Sequence, residues 1–411
     1  MSPMEATVSI ESVAAGGDGV GRAEGMVVFV PRSAPGDLAR VRMARAKRFA
    51  RGELLSLERA SPARVDPPCI HYTADRCGGC QIQHLTYEAQ LEAKSVIIGD
   101  ALRRIGRREV SNPDVTASDA PWRYRRKLTL HLRRRAGRWV AGLHPFDDPA
   151  AVFDLRDCPI TDERVLDVWS ELRKSFDLLP RVPALRVSVR LVEDGASATV
   201  EGGDAWPTSD RFFASAPSLT ELWWRPEERA VQRVATRSAS SQAGASFTQV
   251  NAGVASELRE YLLSRVRHYD PPRVVDAYAG TGATALPLAA EHRTVVAIEW
   301  DREAVEQLRS RLAPPSSAIA GRVEDHLANA LPADVVLLNP PRTGVDPRVT
   351  AALEAIEAKP RALFYVSCDP ATFARDLARL PGYRLIALRG YDMFPQTAHV
   401  ETVCELIPAV A

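Results

Sequence analysis

The sequence predicts an α/β protein. A doubly wound parallel sheet forms the C-terminal part, preceded by a small β-barrel and a central, mainly antiparallel β region. Three observations carry this. From about residue 250, apolar runs alternate with helical patterns: Val274-Val275, Val295–Ile298, Val335–Leu338, Leu363–Val366 and Leu385–Leu388. Strands separated by helices imply parallel units. Residues 1–60 instead hold short apolar or β-branched runs with little between them, at Ala6–Ile10, Met26–Val30, Arg40–Ala44 and Glu53–Leu57. Residues 120–240 alternate polar and apolar side chains, as in Leu128-Thr129-Leu130-His131-Leu132 and Leu185–Val192. That is the period of strands with one buried face.

The expected divisions are therefore 1–60, 61–245 and 246–411. In the first, Gly16-Gly17-Asp18-Gly19-Val20-Gly21 reads as a turn between two strands. Arg45, Lys47, Arg48 and Arg51 give the barrel a basic rim. Small barrels of the OB type often bind nucleic acid. In the second, residues 61–85 form a loop bearing proline and cysteine, and Tyr87 to Arg107 reads as a helix with a basic end. In the third, Val400–Ile407 follows the preceding strand through a short loop, which suggests an edge hairpin.

Composition sets the class. At 411 residues, 45% hydrophobic and 26% charged, the chain is long enough for two or three domains and ordinary for a globular protein. No run approaches the roughly 18 apolar residues of a membrane span, and no basic start leads into an apolar core. A cytoplasmic location is expected. There thiols stay reduced, so the six cysteines favour metal binding or catalysis over disulfides. The net charge of +1 hides an asymmetry. Residues 1–140 hold 24 Lys and Arg against 15 Asp and Glu, and the remainder 29 against 37. A basic front half suits a polyanionic partner. Guanidinium groups interleave with aromatics in Trp122-Arg123-Tyr124-Arg125-Arg126-Lys127, then in Arg133-Arg134-Arg135 and Arg138-Trp139. That mixture suits phosphate contacts and base stacking.

Chemistry on a parallel sheet collects at the carboxyl ends of its strands. Asp276-Ala277-Tyr278-Ala279-Gly280-Thr281-Gly282 follows the first of them, Glu299 ends the second, and Asn339-Pro340-Pro341 follows Val335–Leu338. The glycines allow backbone to approach a ligand, and the carboxylates can accept from ribose hydroxyls. On spacing alone, Gly280 to Ala285 would also suit a dinucleotide. The buried run Ala362–Val366 stops at Ser367-Cys368-Asp369-Pro370, and His399-Val400-Glu401 lies downstream. A thiol and a carboxylate beside a ligand loop suggest nucleophilic catalysis. Asp369, next to Cys368, is expected to raise the thiol pKa. Among the other cysteines, Cys69, Cys77, Cys80 and Cys158 could surround one centre. Their spacing fits tetrahedral zinc and a [4Fe–4S] cluster equally.

Taken together, the sheet motifs resemble a class I S-adenosylmethionine methyltransferase. The sharper resemblance, over nearly the whole chain, is to the RNA uracil-5-methyltransferases. It rests on Cys77-Gly78-Gly79-Cys80-Gln81-Ile82-Gln83-His84, Tyr124-Arg125-Arg126-Lys127, Phe247-Thr248-Gln249-Val250-Asn251, Asn339-Pro340-Pro341-Arg342-Thr343-Gly344, Val366-Ser367-Cys368-Asp369-Pro370 and His399-Val400-Glu401. The resemblance implies a TRAM barrel at the N-terminus and a class I methyltransferase sheet at the C-terminus. It implies S-adenosylmethionine as cofactor, contacted by Gln249, Tyr278, Glu299 and Asn339, with Asp276, Gly280 and Gly282 shaping the loop. Cys368 is the implied nucleophile and Glu401 the implied base. A [4Fe–4S] cluster on Cys69, Cys77, Cys80 and Cys158 is implied too. The implied partner is RNA with its target uridine flipped out, 23S ribosomal RNA ahead of transfer RNA, with no obligate protein partner. Many members have Asp at the position of Asn339, Cys at Ala279, and Asn at Asp369 and Arg126.

Overall fold

The computed structural model describes residues 4–237 and 249–409. Five strands close the N-terminal barrel: β1 (Met4–Val13), β2 (Gly19–Ala23), β3 (Met26–Val30), β4 (Leu38–Arg45) and β5 (Phe49–Arg59), in the order β1-β2-β3-β5-β4. Val8, Ile10, Val28, Val30 and Val41 fill it. The glycine run expected as a turn is half strand. Only residues 14–18 turn, closed by the Ala14 amide donating to the Asp18 carbonyl at 2.8 Å. Gly19 and Gly21 belong to β2 because nothing larger fits there. A Cβ on Gly19 would sit 2.0 Å from Ser33 Oγ, and one on Gly21 2.3 Å from the Ser9 carbonyl. Glycine here marks close strand packing rather than reversal.

The helix Tyr87–Arg104 begins where Thr86 Oγ1 accepts from the Ala89 amide at 3.3 Å, and it ends in Arg103 and Arg104. Ile98 and Leu102 on this helix share an apolar cluster with Val275, Leu338 and Tyr365. The helix, read from sequence as part of the middle region, thus packs onto the C-terminal sheet. The two-residue strand β6 (Val115–Thr116) follows it there.

The central sheet comprises β7 (Lys127–Arg135), β8 (Arg138–Gly142), β9 (Ala184–Val192), β10 (Gly195–Glu201), β11 (Leu219–Arg225) and β12 (Gln232–Thr236). Its order is β12-β11-β10-β9-β7-β8, with only the β10–β11 pair parallel. Leu128, Leu130 and Leu132 with Val187 and Val189 pack against Val165, Trp169 and Leu172 of the helix Glu163–Arg173. The alternation leaves Lys127, Thr129, His131 and Arg133 on the opposite face.

The C-terminal sheet contains β13 (Arg273–Ala277), β14 (Thr294–Glu299), β15 (Ser317–Ala320), β16 (Val335–Leu338), β17 (Ala362–Ser367), β18 (Tyr383–Tyr391) and β19 (Glu401–Pro408). With β6 its order is β15-β14-β13-β16-β17-β19-β18-β6. The pairs from β15 to β17 are parallel, and β19 runs antiparallel to both its neighbours. The final strand is therefore part of a hairpin but not at the edge, as the sequence reading had it. It inserts between β17 and β18, and residues 401–406 are all buried. Its apolar side chains on both faces suit an interior strand. No helix among the described residues is long and apolar enough to cross a membrane.

Candidate active site

The strand order reverses between β13 and β16, which opens a crevice at their carboxyl ends. Gln249, Asp276, Tyr278 and Asn339 line one cavity there, with Thr284 and Met393. Its enclosed volume is about 110 Å³. Asp276 is fully buried and accepts from the Thr284 hydroxyl. Burial pushes its carboxyl up to about 7. Tyr278 adopts φ +69°, the left-handed region, as the chain leaves β13. A tyrosine in that conformation is a strained residue at a functional loop. Gly280 (φ +55°) and Gly282 (φ +90°) continue the turn. A Cβ on Gly282 would lie 2.4 Å from Leu308, so the loop is closed against the helix Arg302–Arg311.

Glu299 organises this loop. Its two carboxylate oxygens accept from the Gly280 and Asp301 amides, each at 2.8 Å. Beside it, Trp300 is 65% exposed, with the Arg322 guanidinium 4.9 Å from its ring centre. Sequence reasoning did not single out this exposed pair. Phe247 and Thr248 lie outside the described residues. Gln249 lies two residues before Asn251, which caps the helix Ala252–His268 by accepting from the Val254 amide.

The second group lies one strand further along. In the β17–β19 pairing, Ser367 opposes Thr402. One more step of the same register sets Cys368 opposite Glu401. The carboxylate is buried at 5% exposure, while the thiol is half-buried. Burial pushes the Glu401 carboxyl up to about 7, against the opposing pull of Arg342. The Cys368 thiol is raised by burial and then by Glu401, whereas Arg342 lowers it by charge and by hydrogen bonding. Asp369, expected to act on the thiol, is turned away. Its Oδ1 accepts from the Thr372 amide at 2.8 Å and caps the helix Pro370–Leu377. The local anion is Glu401, and the compensating cation is Arg342. The sequence reading noted Arg342 only as part of a motif; its place beside two other strand ends is a tertiary fact.

The family model described as tRNA (Uracil-5-)-methyltransferase matches residues 321–407, and the TRAM domain model matches residues 4–55. A protein of Thermosynechococcus vestitus named an uncharacterized RNA methyltransferase is 33% identical across 97% of this chain and 96% of its own. A Synechocystis protein of the same description is 34% identical over 94% and 92%. The chain belongs to the RNA uracil-5-methyltransferase family. The crystal structure of the Pyrococcus abyssi tRNA (uracil-54, C5)-methyltransferase in complex with S-adenosyl-L-homocysteine superposes with a TM-score of 0.70 at 23% identity. The match covers 98% of this chain and 99% of that one, so the fold is shared from end to end.

In this methyltransferase Cys69, Cys77, Cys80 and Cys158 line one cavity of about 260 Å³, together with Arg125, Arg342 and His399. Burial raises the thiols of Cys77, to about 11, of Cys80 and of Cys158, and nearby cysteines raise each further. The four predicted ligands are thus brought to one place. Among the described residues no group of three or more His, Cys, Asp or Glu side chains is arranged to hold a metal ion. The basic residues of β7 meet those of β9, since Lys127 opposes Arg190 and His131 opposes Arg186.

Proposed function

We propose that this protein transfers a methyl group from S-adenosylmethionine to carbon 5 of a uridine in RNA, through a covalent adduct on Cys368. The observation that carries the reading is Cys368 opposite Glu401 with Arg342 acting on both. Carbon 5 of uracil is a poor nucleophile. Addition of the Cys368 thiolate to carbon 6 pushes electrons to the ring carbonyl and makes carbon 5 an enolate carbon. That carbon takes the methyl group from the sulfonium, and S-adenosylhomocysteine leaves. Glu401 then removes the remaining carbon 5 proton, the double bond re-forms and the thiolate departs. A carboxylate raised to about 7 is a stronger base than an ordinary one and is still ionised in a useful fraction at neutral pH. Arg342 favours the thiolate that starts the cycle. A stacked base hides both ring faces, so the uridine reaches Cys368 unpaired or flipped out.

For the cofactor, the crevice supports the carried-over set. Gln249, Tyr278 and Asn339 line its enclosed part, and Asp276 and the glycines hold the loop's shape. At about 110 Å³ the enclosed part is smaller than a whole-ligand pocket of roughly 300–1,000 Å³. The nucleoside would extend over the open loop toward Glu299. The basic strands and the barrel would carry the RNA, in the cytoplasm where RNA is modified. We take ribosomal RNA as the substrate, on analogy with family members that combine a TRAM barrel with a cysteine cluster. The tRNA named as the substrate of the Pyrococcus abyssi enzyme favours a transfer RNA as the second reading.

Cys69, Cys77, Cys80 and Cys158 would hold a [4Fe–4S] cluster. Four thiols line one cavity, and those of Cys77, Cys80 and Cys158 are raised by burial and by neighbouring cysteines, a donor set that a cationic group would stabilise. Such a cluster would supply structural cross-linking of the residue 69–80 loop to the residue 158 segment. Iron and acid-labile sulfide in protein purified without oxygen check this, with Cys80→Ser as the control that should lose both.

Nucleoside mass spectrometry tests the function. RNA from a host lacking the gene should miss one 5-methyluridine, in one RNA species, and complementation should restore it. Complementation with Cys368→Ala should not. An unchanged 5-methyluridine content would remove the uridine reading.

A further inference from the structure

We propose that Gln81, Gln90 and Lys94 are positioning residues for Glu401, acting through the β18–β19 connection, residues 392–400. The inference rests on the reading of Glu401 as the base. That connection delivers Glu401 to the site, and hydrogen bonds from the N-terminal half of the chain hold it along its length. Lys94 Nζ donates to Asp392 and to the Phe394 carbonyl, the latter at 3.1 Å. Both charged side chains are fully buried. Gln90 and Gln396 bond reciprocally: Gln90 Nε2 donates to Gln396 Oε1 at 2.9 Å, and the Gln396 amide donates back to Gln90 Oε1 at 3.0 Å. The Ile82 amide donates to the Gln396 carbonyl at 3.2 Å, and Tyr124 OH to the Pro395 carbonyl at 3.0 Å. The Ala398 amide donates to Gln81 Oε1 at 3.4 Å.

These partners lie 271 to 317 positions away in sequence, so local propensity does not set the loop's path. Gln396 sits at φ +71°, a conformation that a glutamine keeps only where its surroundings impose it. A buried ion pair is a poor source of stability, because desolvation offsets its attraction. A buried polar network with many satisfied members does favour one arrangement, and here every partner named above is bonded, with Asp392 Oδ2 the one carboxylate oxygen left without a partner. The arrangement selected here fixes the approach to a carboxylate that must face carbon 5 in one step of the cycle. Gln81 directly follows Cys80, and its Nε2 donates to the Gly78 carbonyl at 2.9 Å, so the cysteine loop is one wall of the clamp.

The test uses two variants of the full-length protein. Gln90→Leu removes the reciprocal amide pair. Lys94→Met/Asp392→Leu removes both charges together and so avoids a buried unpaired ion. Each is mixed with S-adenosylmethionine and a uridine RNA that the wild type methylates, and the covalent protein–RNA adduct is followed on denaturing gels. A misplaced base slows proton removal and leaves the earlier steps alone. The first methyl transfer should stay near wild type, while adduct resolution slows on the order of 10- to 100-fold. The adduct should accumulate, and kcat should fall at unchanged KM for RNA. Hydrogen exchange at the Gln396 and Ala398 amides should rise. Loss of adduct formation in step with turnover in both variants, as a general folding defect gives, would overturn the proposal, as would wild-type resolution rates. Glu401→Gln is the reference. If it fails to accumulate adduct, the assignment of the base falls first, and the proposal falls with it.

Discussion

Two regions of the molecule bury thiols, and they differ in what surrounds the sulfur. At the end of β17, Cys368 is half-buried, faces one carboxylate and is relieved by one guanidinium. In the cavity lined by the 69–83 and 155–161 segments, Cys77, Cys80 and Cys158 are raised by burial and by neighbouring thiols. Cys77 gains a weak bond from the Gly79 amide at 3.4 Å and the charge of Arg32, whose Nη2 donates to the Cys77 carbonyl at 3.0 Å. The first setting keeps a thiol partly accessible and puts a cation beside it that offsets part of its upward shift. The second keeps four thiols together and holds those of Cys77, Cys80 and Cys158 protonated unless something cationic joins them. Reactivity follows from the charges nearest the sulfur more than from the residue type.

The largest expected effect separates Cys368 from the other sheet cysteine, Cys404, which is fully buried opposite Tyr365. Cys368→Ala should lower methyl transfer by on the order of 10⁴-fold or more. Cys404→Ala should leave turnover within about twofold and cost about 1 kcal/mol in a denaturant melt. Equal activity losses would erase the distinction.

Next comes the guanidinium. Arg342→Met should cut kcat/KM by on the order of 10²-fold, and it should move the pH–rate limb that reports thiolate formation upward. Arg342 lowers the thiol pKa, so its removal must raise it. An unmoved limb would mean that another cation does this work.

The third effect is on stability. Glu401 rises from an ordinary 4.5 to about 7 on folding, so between those values the folded protein binds the extra proton. Stability contributed by this group is therefore full at low pH and falls as pH rises through that window. Glu401→Gln should be more stable than wild type at pH 8 by roughly 3 kcal/mol, with the difference vanishing near pH 4. Equal melts at both pH values would place the carboxylate in solvent.

The smallest effect concerns Asp369. Asn can accept the same helix-cap bond, so Asp369→Asn should change kcat/KM by no more than about threefold. A large gain in activity would restore the sequence-based view that this charge opposes the thiolate.

That last point shows where the sequence was legible. Strand ends announce themselves, because a buried run stopping at Cys368 or Glu299 marks the working edge of a parallel sheet. The barrel, the alternating central strands and the glycine loop were readable for the same reason: each rests on a local period or a turn residue. What was not readable depends on pairing. The sequence sets Asp369 beside Cys368, but helix capping turns it away, and strand insertion brings Glu401 opposite instead. The Gly19–Gly21 strand looked like a turn because its glycines serve neighbours distant in the chain. The 392–400 connection has no periodic signal at all, since its path is set by Gln81, Gln90 and Lys94.

The central claim is that Cys368 forms the bond to RNA. The most direct measurement is peptide mapping by mass spectrometry of the adduct trapped with Glu401→Gln, S-adenosylmethionine and substrate RNA. The account predicts a single linked peptide, containing Cys368 and carrying a methylated uridine. A link at any other residue, or methylation by Cys368→Ala at the wild-type rate, would contradict it.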